Sequence, residues 1–320
     1  MQTQNYDLTI PDEFDGSRLD QALASLLNQY SRSALKQWIE AGAVQLNGSK
    51  VKVRAKVHGG DRVTVIATLA ASADVLPQAV EFDTIHSDAD LLVVAKPAGI
   101  VVHPGAGNPD HTLVNGLLAR FPELAALPRA GLIHRIDKDT SGLLLVARHT
   151  ASYQQLVRAM AARAISRTYE AVASGVLIAG DTINAAIARD PRQRTRMRID
   201  VNGRQAVTHF RIAARYRRHT LLEVHLETGR THQIRVHLAS IGHPLVGDSR
   251  YGARPRPPLG ASASLIAQLE QFPRQALHAA RLQLEHPVSG ETLTFHDPRP
   301  DDLNRLIEAL AADTQGVGQQ

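Results

Sequence analysis

The sequence contains no cysteine, and aromatic residues make up only 4% of its 320 positions. The lack of cysteine excludes disulfide bridges, thiolate zinc sites and a cysteine nucleophile. No apolar run reaches the length of a membrane-spanning helix, and the N-terminus "MQTQNYDLTIPDEFDG" lacks the basic and apolar regions of a secretory signal. We therefore expect a cytoplasmic protein with no membrane partner, and a monomer, because no unexplained apolar stripe is evident.

The composition is that of a folded domain protein with an excess of positive charge. Hydrophobic residues account for 43% and charged residues for 21% of the chain, and 320 residues suggest two domains. The formal net charge is +5, which favours an anionic partner such as nucleic acid. Arginine supplies 30 of the 36 basic residues, a bias that genome composition alone can produce. The distribution of charge along the chain is therefore more informative than its total.

Residues 1–75 show the pattern of a small separate unit. Five apolar residues follow the spacing of one helical face: Leu19, Ala22, Leu23, Leu26 and Leu27. A second helix is expected between a cap at Ser31 and a stop at Gly42. The dipeptide Asn47-Gly48 between two alternating runs indicates a β-hairpin. The stretches "SRLDQAL", "YSRSALKQWIEAGAVQLNG" and "GGDRV" in this ααβββ order resemble the S4 RNA-binding module.

The same unit carries a local excess of positive charge. Between positions 31 and 62, only Glu40 and Asp61 oppose seven basic residues: Arg32, Lys36, Lys50, Lys52, Arg54, Lys56 and Arg62. An RNA backbone would be attracted to such a surface without sequence reading. An ordinary solvated face is the alternative, but helix spacing, hairpin and charge together favour RNA, with Arg32 and Lys36 among the contacts.

Residues 76–320 follow a linker, "ASADVLPQAV", and alternate between α and β patterns. Strands are expected in "GLLLVAR", "SRTYEAVASG" and "TLLEVHLE". Thr231 can cap a helix that turns Ile234, Leu238 and Ile241 inward and ends at Gly242. The residues 312–320 are expected to form a frayed tail.

A polar loop interrupts two apolar runs in "GLIHRIDKDTSGLLLVAR", residues 131–148. Five of six consecutive positions carry ionisable groups: His134, Arg135, Asp137, Lys138 and Asp139. A rigid strand behind a loop is a good platform for reactive side chains. The pattern therefore indicates a catalytic loop, although charges that merely cap a turn would give the same pattern.

Three chemical interpretations of this loop compete. Asp137, Asp139 and His134 could bind magnesium, but two carboxylates alone are a weak site. A kinase catalytic loop requires Asp directly after His-Arg, and Ile136 intervenes here; the Gly-rich loop and the Asp-Phe-Gly motif are also missing. The third interpretation is a single carboxylate nucleophile with a cationic partner.

"HRIDKDTSGLLLVAR" resembles the catalytic motif of the RluA-type pseudouridine synthases, in which Leu usually stands where this chain has Ile136. Three further stretches match in order: "LLVVAKPAGIVVHPGAGNPDHTLVNGLL", "SRTYEAV" and "LETGRTHQIRVHLASIGHPLVGDSRYG". The stretches "VVHPGAGNPD", "PRAGLIHRIDKDTSG" and "RQALHA" resemble the D-type, large-subunit branch of the family. The resemblance implies an α+β fold: a mixed, largely antiparallel sheet with a central cleft, preceded by the S4-like unit.

The resemblance also implies the reaction and the residues that carry it. The C1′–N1 bond of a uridine in RNA breaks and the uracil is rejoined through C5, so neither cofactor nor metal is required. Asp137 is the implied catalytic carboxylate; attack on C1′, addition to the base and removal of the 2′ proton all remain open roles. Arg230 is implied to lie beside Asp137 and keep it charged, and Tyr169 to pack on the flipped base. By its sequence pattern alone, Tyr169 could equally be a core residue of a strand.

Further contacts with RNA are expected from other basic residues. Arg135 is implied to fill the space left by the extruded nucleotide, and Lys96 to shape the pocket floor. In "ARDPRQRTRMRID" an extended strand would place Arg194, Arg196 and Arg198 on one face as a phosphate rail. His134, His232 and His237 could suggest zinc, but a spacing of five on a presumed helix separates the last two, and core or RNA-facing histidines are favoured.

We therefore expect a synthase that acts on 23S ribosomal RNA, at uridines in the loop of helix 69 if the D-type resemblance holds. The same chemistry on other ribosomal or transfer RNA uridines is one alternative. A noncatalytic RNA-binding assembly factor that retains the fold is another, and it predicts the loss of Asp137, Tyr169 or Arg230, all of which are present.

Overall fold

The computed structural model describes residues 2–27, 30, 32–69, 75–105, 107–252 and 254–317. The chain divides into two compact units, Met1–Val75 and Leu76–Gln320. Within the described residues, no helix is both long enough and apolar enough to cross a bilayer. Each unit has a sheet and a hydrophobic core of its own, and each is described separately.

The first unit packs two helices on a four-stranded antiparallel sheet of order β1-β4-β2-β3. Its elements are β1 (Gln2–Thr9), α1 (Leu19–Leu26), α2 (Arg32–Glu40), β2 (Val44–Leu46), β3 (Ser49–Lys50) and β4 (Arg62–Leu69). The hairpin between β2 and β3 turns at Asn47 and Gly48, both with positive φ, as the sequence predicts. Strand β1 was not anticipated, because its polar residues hide the alternation that marks a strand.

The core of the first unit forms where the sequence places it. The inward helical residues are buried, including Leu19, Leu23 and Leu35, and Trp38 is 8% exposed. They pack against Val63 and Val65 of β4 in one cluster. The predicted cap Ser31 lies outside the described residues, as does the side chain of Arg32.

The second unit is built on one nine-stranded sheet with helices packed against it. The strand order is β5-β6-β7-β14-β8-β13-β12-β9, with β15 also paired to β14. Its larger strands and helices are β5 (Asp83–Ser87), β6 (Leu91–Lys96), α3 (Leu113–Arg120), β7 (Ser141–Ala147), α4 (Thr150–Ala161), β8 (Ser166–Ser174), β9 (Asp181–Asn184), β12 (Val207–Arg215), β13 (His219–Leu226), α5 (Gln233–Ser240), α6 (Ala263–Gln271), β14 (Leu277–Glu285), β15 (Thr292–His296) and α7 (Asp301–Val317). A separate two-stranded hairpin consists of β10 (Ile187–Arg189) and β11 (Met197–Ile199).

The large sheet is mixed and mostly antiparallel, as expected from the family resemblance. The parallel contact joins β7 to β14, where Ser141 pairs with His278 and Gly142 with Ala279. Every residue of β6 and β7 is buried, because α4 and neighbouring side chains cover these central strands. The polar loop around Asp137 therefore leads directly into a fully buried strand.

Two sequence expectations about helices were wrong in detail. The helix predicted to begin after Thr231 begins at Gln233, and Ile241, predicted to face inward, is 41% exposed just beyond its end. Of the segment 312–320 predicted as a frayed tail, the residues as far as Val317 belong to α7, and residues 318–320 lie outside the described part of the chain. Its charged residue Asp313 is fixed by an ion pair with Arg217 at 3.1 Å, a long-range contact that local polarity does not reveal.

We expect Gly142→Ala to destabilise the second unit by about 3 kcal/mol or more. Gly142 has a φ of +113°, and a Cβ there would lie 2.3 Å from the carbonyl oxygen of Ala279. Gly290→Ala is the matched control, because Gly290 also has a positive φ (+72°) but faces open space. The control should cost only about 1 kcal/mol. Urea unfolding followed by circular dichroism measures both, and equal losses would contradict the close approach of β7 and β14.

Candidate active site

The loop that carries Asp137 is held from below by a buried lysine. Lys96, at the end of β6, donates hydrogen bonds from Nζ to the carbonyl oxygens of Pro97 (2.7 Å) and Lys138 (2.8 Å). Its side chain is buried, and burial lowers its pKa to about 7, although the charge of Asp139 opposes this shift. Lys96 was predicted to contact substrate from the pocket floor; the structure instead places it beneath the loop, where it fixes backbone carbonyls.

The segment "RQALHA" fixes the same loop from the other side. Arg274 forms an ion pair with Asp302 at the start of α7 and donates to the carbonyl oxygen of Asp139 at 3.3 Å. Gln275 donates to Thr140 Oγ1 at 3.0 Å. These supports come from more than 130 residues away in sequence, so the loop pattern alone gave no sign of them.

Asp137 is paired with a buried arginine of helix α5. Arg235 donates from one terminal nitrogen to Asp137 Oδ2 at 2.9 Å, and the two side chains are 8% and 15% exposed. The rest of the guanidinium is held by Asp248, which accepts from Nε at 2.7 Å and from the other terminal nitrogen at 2.9 Å. Burial opposes charge on Arg235, but these two carboxylates outweigh it and raise its pKa. Arg235 is therefore a fixed positive charge aimed at Asp137.

The expectation that Arg230 supports the charge of Asp137 is corrected by this geometry. Arg230 Nε donates to the carbonyl oxygen of Gln205 at 3.0 Å, and within the described chain the guanidinium that pairs with Asp137 belongs to Arg235. Both arginines lie in the motif "TGRTHQIR". Arg230 precedes the helix, whereas Arg235 sits in its first turn, where helical side chains lean back toward the N-terminus. The sequence spacing did not distinguish the two.

A histidine and a tyrosine complete the surroundings of the carboxylate. The Tyr251 hydroxyl accepts from the Met197 backbone N–H at 2.8 Å, so its proton is free to go to His232 Nδ1 at 2.7 Å. His232 Nε2 lies 4.0 Å from Asp137 Oδ1. Burial lowers the pKa of His232, although the negative charge of Asp137 opposes this.

Asp137 opens into a small cleft of about 70 Å³. The cleft is lined by residues from the catalytic loop, β8, the end of β13 and α5: Arg135, Ile136, Asp137, Thr140, Arg167, Tyr169, Leu226, Gly229, Arg230, Thr231, His232, Gln233, Ile234, Arg235 and Leu277. Tyr169 is only 4% exposed, and burial raises its pKa. Four arginines face one carboxylate here, so the lining is suited to an anionic ligand.

The structure thus brings together Asp137, Tyr169, Arg230 and Arg135 around one cleft. Arg135 is exposed at its lining. The predicted rail of Arg194, Arg196 and Arg198 is not a strand face: β11 begins at Met197, so only Arg198 lies in the strand.

The neighbours of this arginine segment tie it to the cleft. The Arg196 guanidinium lies 5.2 Å from the ring centroid of Tyr251, the tyrosine that binds His232. Arg198 forms an ion pair with Asp200 at 2.6 Å, and Arg194 is exposed in the turn before the strand.

In the first unit, Lys36 is exposed and lies 3.5 Å from Glu40.

The histidines considered for zinc are occupied by protein partners. Both ring nitrogens of His237 are bonded, to Thr208 Oγ1 and to the carbonyl oxygen of Ala185. His134 Nε2 accepts the backbone N–H of Leu145 at 3.2 Å. His237 therefore has no ring nitrogen left for a metal, whereas His134 Nδ1 is buried and has no hydrogen-bond partner among the described residues.

A different group of possible ligands lies outside the cleft: Asp88, Asp90 and His286. His286 Nδ1 accepts the backbone N–H groups of Val288 and Ser289, so its proton sits on Nε2 and points toward the two carboxylates. A protonated nitrogen cannot ligate a metal. We assign these residues to a hydrogen-bonded turn.

Comparison with known proteins shows the family to which the chain belongs. The RNA pseudouridylate synthase family model matches residues 90–240, which contain Asp137, Tyr169 and Arg235, and the S4 domain model matches residues 17–63. The chain is 48% identical over 316 residues to the ribosomal large subunit pseudouridine synthase D of Haemophilus ducreyi, covering 98% of this chain and 97% of that protein. It is 50% identical to the protein of the same name from Yersinia pestis, covering 98% and 96%.

Two solved human structures share the fold. Human RNA pseudouridylate synthase domain containing 1 superposes with a TM-score of 0.54 at 26% identity, covering 72% of this chain and 95% of that one. Domain containing 4 superposes with a TM-score of 0.57 at 24% identity, covering 71% and 92%. About half of the residues are identical to those of named synthases over nearly the full length of the chain, and a lone carboxylate lies in its cationic cleft. The chain therefore belongs to the RNA pseudouridylate synthase family and is an RNA pseudouridine synthase.

Proposed function

We propose that this enzyme isomerises uridines of 23S ribosomal RNA, and that its targets lie in the loop of helix 69. Support for the ribosomal substrate comes from the named large-subunit relatives, which match almost the whole length of the chain. The observation that carries the reaction is the Asp137–Arg235 ion pair at 2.9 Å on the wall of the cationic cleft. It places a fixed carboxylate in a cleft that is lined by arginines.

Asp137 is the catalytic residue of this proposal. Attack on C1′, addition to the base and abstraction of the 2′ proton each require a negatively charged oxygen. A carboxylate that leaves water tends to become neutral, and an opposite charge in contact with it favours the charged form. Arg235 supplies that charge, and Asp248 prevents it from turning away. The pair stands ready before RNA binds, so no reorganisation is required in the reaction.

The other cleft residues bind and orient the nucleotide. Tyr169 offers the flat, buried ring on which an extruded uracil can pack. Arg135 is exposed next to Asp137 in the chain and is suited to fill the gap that the nucleotide leaves in the RNA. Arg230, with its Nε held by the carbonyl oxygen of Gln205, contributes positive charge to the lining and so attracts phosphate.

The two units divide the work in this proposal. Residues 1–75 form the S4-like RNA-binding domain, with Arg32 and Lys36 among its phosphate contacts, and residues 76–320 carry out the isomerisation. Arg194, Arg196 and Arg198 add phosphate contacts beside the cleft. The enzyme acts as a cytoplasmic monomer, and sedimentation of the purified protein tests the oligomeric state.

Mapping of pseudouridine in ribosomal RNA tests the substrate. A strain that lacks the gene should lose the modification in the loop of helix 69, and the wild-type gene should restore it. Asp137→Asn should restore none, because the amide has almost the same shape but no charge. Loss of the modification at other ribosomal uridines would redirect the target, and restoration by Asp137→Asn would remove Asp137 from the mechanism.

Arg235→Lys should lower the single-turnover rate about 100-fold, the cost of a small misplacement at a reacting centre. A lysine cannot bond both carboxylates in the planar, forked manner of Arg235. Arg230→Lys, which keeps the charge at the cleft without touching Asp137, should lose much less, about threefold. Both variants should bind RNA almost as wild type. A larger loss of rate for Arg230→Lys than for Arg235→Lys would support Arg230 as the arginine that serves Asp137.

The double variant Lys52→Gln/Arg54→Gln should bind RNA more weakly and with a shallower salt dependence, by about 2 in the slope of log K against log salt. Both residues are exposed and line one surface groove with Arg18 and Lys36. Arg62→Gln, an exposed basic residue outside that groove, is the control. An unchanged slope in the double variant would argue against RNA binding by this groove.

A further inference from the structure

Arg167 is a buried arginine whose charge no protein group balances within the described residues. It lies on β8, is 7% exposed and lines the cleft beside Asp137 and Tyr169. One terminal nitrogen donates weakly to the carbonyl oxygen of Leu226 at 3.4 Å, and the buried Nε has no hydrogen-bond partner. No carboxylate of the described chain lies within ion-pair distance of its guanidinium, in contrast to the nearby Arg235.

The local backbone leaves space for this guanidinium. A Cβ at Gly229 would lie 2.9 Å from a terminal nitrogen of Arg167, so any other residue there would displace the side chain. The cleft wall is thus shaped around a cation that the protein itself leaves unsatisfied. Because a buried charge without a partner is unfavourable, such an arrangement is expected where a ligand supplies the missing negative charge.

The titratable neighbours of Arg167 do not supply that charge. Burial, together with the charge of Arg167 itself, lowers the pKa of His134 to about 3, so the ring is neutral. Tyr169 is also neutral, because burial raises the pKa of its hydroxyl. Asp137 is engaged by Arg235 at 2.9 Å. The positive charge of Arg167 is therefore available to the substrate.

The strand fixes where on the substrate this charge acts. Arg167 and Tyr169 are two residues apart on β8, so their side chains leave the same face about 7 Å apart. If the uracil packs on Tyr169, as the proposed function holds, the ribose carbon faces Asp137. Arg167 then lies at an edge of the base, within reach of a uracil carbonyl oxygen and not of C1′.

Negative charge appears on the base during the reaction. The electron pair of the C1′–N1 bond passes to the uracil ring and spreads onto its carbonyl oxygens. After rotation, C5 forms the new bond to C1′, the C5 hydrogen leaves as a proton and N1 takes up a proton, so atoms and electrons balance. A donor that is already in place where this charge develops stabilises the transition state more than the neutral substrate.

We propose that Arg167 is a further catalytic residue, whose unpaired guanidinium hydrogen-bonds a carbonyl oxygen of the target uracil and stabilises the negative charge of the detached base. This inference rests on the proposed function only in placing the base on Tyr169. A phosphate of the bound RNA is the other anion that a guanidinium could take. The burial of Arg167 beside Tyr169, deep on the cleft wall, favours the base.

The test compares Arg167→Gln and Arg167→Lys with wild type under single-turnover conditions. The substrate is an RNA that spans the site identified by mapping, made with uridine or with 5-fluorouridine at the target. Pseudouridine formation, or loss of 5-fluorouridine, is measured in nucleoside digests. Fluorine withdraws electrons from the ring, so the fluorinated base needs less help to carry negative charge. RNA affinity is measured in parallel at several salt concentrations.

For uridine, Arg167→Gln should lower the rate 100- to 1,000-fold, the usual cost of losing one donor to a developing anion, with RNA affinity within threefold of wild type. For 5-fluorouridine, the loss should be at least tenfold smaller. Arg167→Lys should recover part of the rate. The control is Arg281→Gln, a more exposed arginine on the adjoining β14 that lies outside the cleft lining, and it should keep both rates.

Two outcomes would overturn the role of Arg167. A normal rate with weaker binding and a salt slope lower by about 1 would make Arg167 a phosphate contact. An equal loss on both substrates, with a lowered melting temperature, would make it structural. Asp137→Asn is assayed beside them: if it keeps its activity, the proposed role of Asp137 fails, while the ratio between the two substrates still reports on Arg167.

Discussion

The active site depends on one ion pair across the sheet, between Asp137 and Arg235. The two residues are 98 positions apart in sequence and meet at 2.9 Å. Asp248 grips the far side of the guanidinium, so the arginine has one free direction, toward Asp137. Because two carboxylates share one arginine, the group keeps a net negative charge. That charge is the reagent that the proposed mechanism requires, and removing Arg235 would leave both Asp137 and Asp248 without their ion-pair partner.

Around this pair, hydrogen bonds hold the loop on one side, and arginines line the cleft on the other. Lys96, Arg274 and Gln275 bind loop groups beneath Asp137 and hold the loop at the end of a fully buried strand. The cleft lining carries arginines that attract RNA. Basic residues that look alike in sequence are placed differently: Lys96 and Arg274 bind backbone carbonyls, whereas Arg135 and Arg167 line the cleft and are proposed to contact the substrate.

Much of this could be predicted from local patterns. The hairpin at Asn47-Gly48, the buried strand after Asp137 and the inward faces of α1 and α2 follow from short-range rules of conformation and burial. The sequence predictions failed where a contact between residues distant in sequence determines the local structure. Strand β1 is paired with β4, which is distant in sequence. Helix α7 continues through most of the predicted tail, where Asp313 forms an ion pair with Arg217. The arginine segment before β11 forms a turn instead of a strand.

The sequence by itself determined that a carboxylate loop sits against a buried strand, that an S4-like unit precedes it, and that the chain resembles one family throughout. Only the tertiary structure decided which arginine serves Asp137, because Arg230 and Arg235 share a motif and differ only in where the helix begins. It alone separated Lys96, beneath the loop, from Arg167, on the cleft wall. Burial and pairing of a charge depend on all the surrounding chain, and no window of neighbouring residues contains that information.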